Sequence, residues 1–375
     1  MKKIAIASDS YKGTLSSQQV ADALEAGFLA ADPSLEIVKI AVADGGEGTV
    51  DAIMSARDGV WVNCRTQDPL GRIIDTKYAM CGDTAVIEAA SSSGLTLLAE
   101  DERNPTLTSS FGTGEQIADA LSRGCRKFII GIGGSATNDG GTGIMAALGA
   151  AFLDKNGSRL KPIGKSLNDI CSIDLSGFSR EALASEFSVI CDVDSPLFGP
   201  KGAAYTFAAQ KGASEQEIAI LDDGLRNYGA VMEKTFGTEV CNLAGAGAAG
   251  GIGGALKAFL NGNLRQGVEV VLDAIDFDSR IEGADLVITG EGRLDFQTHT
   301  GKTPSGVLKR ASGKGIPVIA VAGCVEHCES LDNMGFEAIY ATNDIPNTVS
   351  RLKTIAEEIY YNSMPMQTPP RPMKA

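Results

Sequence analysis

The chain has 375 residues, which is long enough for two domains that each bury a full hydrophobic core. It carries 47 acidic and 33 basic residues, a formal net charge of −14, so nucleic-acid backbones and anionic membranes are not expected partners. With only two histidines, His-rich metal sites and most Ser-His-Asp schemes are excluded. The eight cysteines form no C-x-x-C pair, and no membrane-spanning apolar run or signal-peptide pattern occurs, which predicts a soluble, cytoplasmic, thiol-reduced protein.

The first part of the chain alternates between strand and helix patterns. Lys2–Ser8 is a β-branched run that predicts a strand, and Ser16 with Gln19 forms a capping box that opens a helix. Leu35–Val42 predicts a second strand, and the glycine-rich segment 44–49 opens a second helix. This alternation predicts a parallel sheet whose loops meet at the carboxyl ends of its strands.

A different pattern begins at about residue 59. Segments that alternate at period two around the turn DPLGR (68–72) predict antiparallel strands. Further helices and strands follow in mixed order. The predicted helices are Thr113–Ser122, Thr142–Phe152 and Glu215–Phe236, and the predicted strands are Lys127–Ile132 and Glu186–Asp192.

The last part of the chain returns to the first pattern. Strands are predicted at Ala284–Gly290, Ile316–Gly323 and Glu337–Ala341, with a helix at Lys302–Ala311 and another at the end. We therefore predict an α/β protein with a Rossmann-like parallel-sheet domain formed from both chain ends, residues 1–60 and 270–375. Residues 61–269 are predicted to form an inserted mixed α/β domain.

Glycine accounts for 45 of 375 residues, and five segments interpreted as loops that follow strands carry glycine together with polar groups. Glycine lets backbone N–H groups approach an anion, and a following helix N-terminus adds positive potential. None of the segments matches the P-loop or the dinucleotide fingerprint, so we predict a phosphate or nucleotide site of another type. For any single loop, a purely structural turn is the alternative. The segments are 9–14, 43–49, 131–141, 244–254 and 289–295.

Charged residues recur in and around these loops. A carboxylate beside a phosphate suits Mg²⁺ binding or deprotonation of a hydroxyl, and a cation suits a phosphate or a substrate carboxylate. Helix caps and solvated salt bridges are the alternatives. Because histidine is scarce, proton transfer is assigned to a carboxylate. The acids are Asp9, Asp44, Glu47, Asp139, Asp192, Asp194, Glu291 and Asp295, and the cations are Lys12, Arg72, Arg293 and Lys302.

The loop sequences resemble those of the bacterial glycerate kinase family, type 1, in order from Ile4 to about Asn343. Small departures occur, for example at Tyr11 and Ser195, and none removes a charged group. The motifs are DSYKGTLSS, ADGGEGT, DPLGR, SSFGTGE, GIGGSATNDGG, CDVDSPLFGPKGAA, AGAGAAGG and TGEGRLDFQTHTGKTPSGV.

The resemblance implies ATP-dependent phosphorylation of D-glycerate, usually to 2-phosphoglycerate, with Mg²⁺ and with the active site in the interdomain cleft. The alternatives are a kinase that gives 3-phosphoglycerate or acts on another small hydroxy acid, and a non-catalytic nucleotide sensor. A small-molecule substrate is expected, without nucleic-acid or membrane partners. A monomer and a homodimer both stay open.

The residues and the resemblance together suggest roles for the loop side chains. Either Asp192 or Asp44 is the base, and Lys12 is a catalytic cation. Ser10, Lys12, Arg72 and Arg293 are predicted to bind substrate, Gly133, Gly134, Ser135, Asn138, Asp139, Gly245 and Gly247 to bind nucleotide, and Glu291 and Asp295 to bind the metal.

Overall fold

The computed structural model describes residues 1–11, 13–46, 48–299, 301–326, 328–343 and 347–363. Its helices and strands alternate along much of the chain. The strands are β1 (Lys3–Ser8), β2 (Glu36–Lys39), β3 (Val60–Gln67), β4 (Ile73–Cys81), β5 (Thr84–Glu88), β6 (Lys127–Gly131), β7 (Ala151–Leu153), β8 (Ser172–Asp174), β9 (Glu186–Ile190), β10 (Asn263–Arg265), β11 (Leu286–Gly290), β12 (Arg293–Leu294), β13 (Val318–Ala322), β14 (Cys324–Val325) and β15 (Ala338–Ala341). The α-helices are α1 (Ser17–Ala31), α2 (Thr49–Arg57), α3 (Ala90–Ser93), α4 (Phe111–Ser122), α5 (Thr142–Ala147), α6 (Arg180–Leu183), α7 (Ala203–Phe207), α8 (Glu215–Phe236), α9 (Ala248–Leu260), α10 (Gly267–Ala274), α11 (Phe277–Arg280), α12 (Thr303–Gly313), α13 (Glu329–Asp332) and α14 (Thr348–Asn362).

The chain divides into two compact units. Unit 1 comprises Met1–Asp44 and the chain from Val271 onward, and unit 2 comprises Gly45–Val270. The change after Asp44 lies earlier than the predicted boundary at residue 60, because helix α2 belongs to unit 2. A Cβ at Gly59 would lie 2.5 Å from Cys81 Sγ and 3.0 Å from Met54 Cγ, so α2 and β4 pack closely there.

Unit 1 is built on a five-stranded parallel sheet with the order β15-β13-β11-β1-β2. Strand β1 pairs with β2 on one side and with β11 on the other, which confirms the predicted parallel sheet formed from both chain ends. Strands β11 and β13 are buried along their whole length, as expected of parallel strands covered on both faces. Helices α1 and α14 approach closely at Gly27, where a Cβ would lie 2.2 Å from the Lys353 carbonyl oxygen.

Unit 2 is built on a six-stranded sheet with the order β10-β9-β6-β5-β4-β3. Strands β3, β4 and β5 form an antiparallel meander, and β5, β6, β9 and β10 run parallel. Phe128 of β6 and Phe187 of β9 stack in the core with ring centroids 4.7 Å apart. This is the mixed α/β architecture expected for the middle of the chain.

Several predicted elements differ in detail from the structure. The helix predicted at Thr142–Phe152 ends with α5 at Ala147, because Gly149 has a φ of +103° and turns the chain into β7. The segment 244–254, interpreted as a loop after a strand, instead leads from the end of α8 into α9. Helix α8 has the predicted bounds, from the capping box of Ser214 and Glu217 to the left-handed Gly237. Within the described ranges, no helix has the length and apolarity to cross a membrane.

Candidate active site

A cavity of about 530 Å³, cavity A, lies at the carboxyl ends of the strands of unit 1. Its wall includes Ser10 after β1, Glu291 after β11, Gly323 after β13 and Thr342 after β15. Asp44, the last residue of the N-terminal segment of unit 1, also lines it. Loops that follow parallel strands meet at one sheet edge, and open α/β sheets bind their ligands there.

Asp9 lines cavity A and is held in place by a hydrogen bond from the first residue of helix α12. Its Oδ2 accepts a hydrogen bond of 2.8 Å from Thr303 Oγ1, and its Oδ1 accepts one of 2.6 Å from the Ser10 amide. Only 6 % of Asp9 is exposed. The contacts fix the β1 loop against α12 and place Ser10 at the cavity wall.

Two carboxylates of cavity A share one cation. Lys302 Nζ lies 3.4 Å from Glu291 Oε2 and 3.6 Å from Asp295 Oδ1. Thr298 Oγ1 donates a hydrogen bond of 3.0 Å to Glu291 Oε1. Burial raises the pKa of the Glu291 carboxyl to about 7, against the opposing effect of Lys302 and Thr298. The group therefore exchanges its proton near neutral pH.

Among the described residues, cavity A has one further cation, Arg293. Its Nε lies 3.7 Å from Asp295 Oδ2, and its guanidinium also pairs with Glu326. The side chain is 60 % exposed. The structure thus brings the predicted Ser10, Asp44, Glu291, Arg293 and Asp295 to one cavity, whereas the predicted Lys12 lies outside the described residues.

Arg72 lies in the turn between β3 and β4, and it lines neither cavity A nor the second cavity described below. Its guanidinium binds Asp68 Oδ2 at 2.5 Å and Glu102 Oε1 at 2.5 Å. Asp68 Oδ1 also accepts the Arg72 amide at 2.9 Å. The pairs with Glu102 and Asp68 raise the pKa of Arg72 above its ordinary value. Arg72 therefore fastens the turn in this structure.

A second cavity of about 420 Å³, cavity B, lies in unit 2 at the carboxyl ends of β6 and β9. Gly133, Gly134 and Ser135 after β6 form one wall, and Cys191 and Asp192 after β9 form another. The cavity is completed by residues of the α7 and α9 regions. The glycine loop predicted to bind nucleotide thus lines a cavity at a parallel-strand edge.

Asp192 is an exposed residue that lines cavity B. Its Oδ1 accepts a hydrogen bond of 2.9 Å from the amide of Gly267, the first residue of α10. Gly45 lies beside it, since a Cβ there would be 3.4 Å from Asp192 Oδ2. A carboxylate that accepts from the first amide of a helix acts as a helix cap. Asp192 therefore has the capping contact that was the alternative to a catalytic role for the acidic loop residues.

The glycines of unit 2 have two different roles. A Cβ added at Gly133 would have no atom within 4 Å, so the backbone there faces open space beside cavity B. At Gly250, with a φ of +71°, a Cβ would lie 2.1 Å from the Thr137 carbonyl oxygen. Similarly, a Cβ at Gly247 would lie 2.2 Å from the carbonyl oxygen of Pro196. These latter glycines allow backbone segments to pack against each other.

Gly245, like Gly247, is not a wall residue of cavity B, which the following Ala248 and Ala249 line. A Cβ at Gly245, with a φ of +85°, would lie 2.8 Å from Cys191 Sγ. Ala249 has a φ of +54°, which is uncommon for a residue with a side chain. The loop is therefore packed tightly while its alanines face the cavity.

Asn138 and Asp139, also predicted to bind nucleotide, are fully buried and line neither cavity. The Asp139 carboxylate accepts four hydrogen bonds, from the Ser110 amide and hydroxyl, both at 2.8 Å, and from the Gly141 and Gly143 amides, both at 3.1 Å. Burial raises the pKa of Asp139, and these hydrogen bonds oppose the rise. In this structure Asp139 ties the loop to the starts of α4 and α5.

Lys211 is a cavity B residue that the sequence reasoning missed. It is 3 % exposed, and its Nζ donates to Ser135 Oγ at 2.9 Å and to the Thr137 carbonyl at 2.7 Å. Burial lowers the pKa of this ammonium to about 8. No sequence motif marks Lys211, which follows the largely apolar run 202–209.

The residues of cavity A suit a divalent cation together with a phosphate. Within the described ranges, no group of three or more His, Cys, Asp or Glu side chains is arranged to hold a metal ion. Mg²⁺ commonly takes only one or two protein carboxylates and completes its shell with water and substrate phosphates. Glu291 and Asp295, which already share the Lys302 ammonium, fit that donor set.

Comparisons with known proteins identify the family of the chain. A family model described as the glycerate kinase family matches residues 4–364. The chain is 44 % identical to a glycerate kinase of Bacillus cereus, over 95 % of this chain and 94 % of that protein. It is also 44 % identical to the glycerate 2-kinase of Escherichia coli K12, over 90 % of each chain.

A solved structure shares the fold. The crystal structure of a Salmonella typhimurium LT2 protein, named as a glycerate kinase 2 candidate, superposes with a TM-score of 0.88 at 41 % sequence identity. The match covers 96 % of this chain and 98 % of the other. The family resemblance predicted from the loop motifs is therefore confirmed.

Proposed function

The chain belongs to the glycerate kinase family, and from this membership we propose that it transfers the γ-phosphoryl group of ATP to D-glycerate. The product is 2-phosphoglycerate, as the name of the E. coli relative suggests. The observation that carries the proposal is the match to that relative over 90 % of both chains, together with cavities at the strand ends of both units whose walls include charged side chains.

The two cavities suit different reactants. In cavity A, the Ser10 hydroxyl and the Arg293 guanidinium provide donors for the carboxylate and hydroxyls of glycerate. In cavity B, the Gly133–Gly134–Ser135 wall allows backbone to approach a phosphate closely, as expected for the nucleotide. We therefore assign glycerate to cavity A and the polyphosphate of ATP to cavity B.

Glu291 and Asp295 would hold Mg²⁺, which would neutralise phosphate charge when bound. The chain's own contribution at these positions is a pair of carboxylates held by Lys302 and, for Glu291, by Thr298. Because these partners fix the side chains before any ligand binds, little reorganisation is needed.

The transfer also needs an acceptor for the hydroxyl proton. As the glycerate oxygen bonds to the γ-phosphorus, the bond to the β–γ bridging oxygen breaks, ADP leaves, and the proton passes to a carboxylate. Asp44 in cavity A and Asp192 in cavity B are the two candidates. The assignment of glycerate to cavity A favours Asp44.

Lys12, predicted as a catalytic cation, is tested by Lys12→Met, for which we expect at least about a 10²-fold loss in kcat/KM.

The decisive experiment is an ADP-release assay with purified protein, ATP, Mg²⁺ and a panel of hydroxy acids. We expect turnover with D-glycerate, and phosphorus NMR of the product should show phosphate on the 2-hydroxyl. Phosphate on the 3-hydroxyl, or preference for another hydroxy acid, would correct the substrate or the position. ATP binding without turnover of any acid would instead indicate a nucleotide sensor.

A further inference from the structure

Lys211 ends a short 3₁₀ turn, Ala209–Lys211, and its side chain reaches the wall of cavity B. Both of its hydrogen bonds go to the loop after β6, to Ser135 Oγ and to the Thr137 carbonyl. An ammonium group has three N–H donors. One donor is therefore left for a group inside the cavity.

The ammonium of Lys211 has no ion-pair partner within the described part of the chain. No carboxylate there lies within ion-pair distance of its Nζ. Asp139 exerts an electrostatic influence, but its oxygens already accept four hydrogen bonds from Ser110, Gly141 and Gly143. A buried charge without a counter-ion is unfavourable, so its presence beside a cavity indicates that an anion completes the site.

The wall next to Lys211 has further donors. Ser135 is 5 % exposed, and because its oxygen accepts from Lys211, its own O–H is left to donate into the cavity. The neighbouring Gly133 has no atom within 4 Å of its Cβ position, and Gly134 has a φ of +70°. Small residues of this kind let an anionic group come close to the backbone.

We propose that Lys211 is the anion-binding cation of cavity B and that, with the Ser135 hydroxyl, it binds a phosphate oxygen of the nucleotide. The proposal rests on the proposed function and adds the residue that recognises the polyphosphate. The carboxylate of glycerate is also an anion that could accept from Lys211. The test therefore distinguishes a phosphate group of ATP from the glycerate carboxylate.

The titration of Lys211 provides a second way to examine the site. Burial holds its pKa near 8, so the free protein loses this charge between about pH 7 and pH 9. The other titratable groups facing it are Asp139 from the β6 loop and Cys191 and Asp192 from the end of β9. Burial raises the pKa of the Cys191 thiol, so this group is neutral at pH 7.

The test compares Lys211→Met with Lys155→Met, a change of the same type at an exposed lysine. Ligand-induced shifts of the thermal midpoint are measured with ATP alone and with D-glycerate alone, and kcat/KM is measured for each. We expect Lys211→Met to fold, to lose the shift with ATP, and to lose at least about 10²-fold in kcat/KM for ATP. The glycerate shift and all properties of Lys155→Met should be unchanged.

Each other outcome has a defined meaning. Loss of the glycerate shift with a retained ATP shift would overturn the assignment to phosphate and favour the carboxylate. An unchanged ATP shift in Lys211→Met would overturn the proposal entirely. If the wild type binds ATP but phosphorylates no glycerate, the proposed function fails while the ATP-binding comparison still decides the role of Lys211.

If Lys211→Met does not fold, the wild type and Lys211→Arg decide the matter. ATP affinity of the wild type should fall as the pH rises through 8, whereas an arginine keeps its charge and should remove that fall. A wild-type affinity that is constant from pH 7 to pH 9.5 would contradict the proposal.

Discussion

In cavity A the half-buried cation, Lys302, lies within 3.6 Å of two carboxylates, whereas in cavity B the buried Lys211 has hydrogen bonds only to neutral oxygens. The first cavity therefore holds its positive charge in balance and has carboxylates available for a metal and a proton. In the second, the Lys211 ammonium forms no ion pair with a described carboxylate and lies beside a glycine wall. Two cavities at equivalent strand ends of two sheets thus differ in the sign of the ligand group that they favour.

The largest expected effect separates the two candidate bases. Asp44→Asn should lower kcat by about 10²–10⁴-fold, because glycerate is assigned to cavity A, while Asp192→Asn should lose less than about 10-fold. Both exchanges keep an acceptor oxygen and remove the charge. Steady-state kinetics at saturating ATP and glycerate make the comparison, and the reverse order would move the base to cavity B.

The second prediction compares a glycine that packs against backbone with a glycine that faces cavity B. Gly250→Ala should destabilise unit 2 by about 2–4 kcal/mol, because a Cβ would be 2.1 Å from the Thr137 carbonyl oxygen at a φ of +71°. Gly133→Ala is the matched control and should leave stability nearly unchanged, since no atom lies within 4 Å of its Cβ position. Hydrogen exchange of unit 2 amides measures the free energy of unfolding of both variants. Equal destabilisation would refute the distinction between packing and cavity-facing glycines.

The pH dependence of the stability of unit 2 tests whether the Lys211 ammonium is desolvated in cavity B. Burial lowers the pKa of Lys211 to about 8 from 10.5, so the unfolded chain binds more protons between these values. Stability of unit 2 should therefore rise as the pH increases from 8 towards 10, by roughly 3 kcal/mol at most. Lys211→Met should lack this rise when unfolding of the two proteins is compared by hydrogen exchange. Parallel curves would show that the ammonium is not desolvated.

The metal assignment of cavity A predicts a smaller change. Glu291→Gln should raise the Mg²⁺ concentration for half-maximal activity by on the order of 10–100-fold, because one of two carboxylate ligands is lost. Glu36→Gln, at a carboxylate that is 66 % exposed, provides a control with the same change of charge. A Mg²⁺ dependence that matches the wild type would remove Glu291 from the metal site.

The smallest effect is expected at Arg72. Because its guanidinium already binds Asp68 and Glu102, Arg72→Met should slightly lower the thermal midpoint and leave the KM for glycerate within about 3-fold of wild type. A rise of 10-fold or more in that KM would instead support the substrate-binding role predicted from the sequence. Lys77→Met, at an exposed lysine that stacks on Trp61, is a control for a cation lost from the same hairpin.

The order of the elements and the family could be predicted because they depend on local patterns. Apolar patterns located the strands of unit 1, the capping box of Ser16 and Gln19 predicted the start of α1, and the loop motifs identified the family. The same patterns placed Ser10, Glu291 and Asp295 after strands, which was enough to expect them at one sheet edge.

Tertiary structure alone decided which of the loop residues reach a cavity. The sequence does not distinguish Gly133, which faces open space, from Gly250, which packs on a carbonyl, because the difference lies in atoms distant along the chain. Asp139 and Lys211 carry no local signal of their burial either. Asp139 is saturated by amides from two helix starts, and Lys211 is left without a carboxylate by the way α7 and the β6 loop meet. Charge balance in a cavity is a property of the packed chain, since it depends on distances that only folding sets.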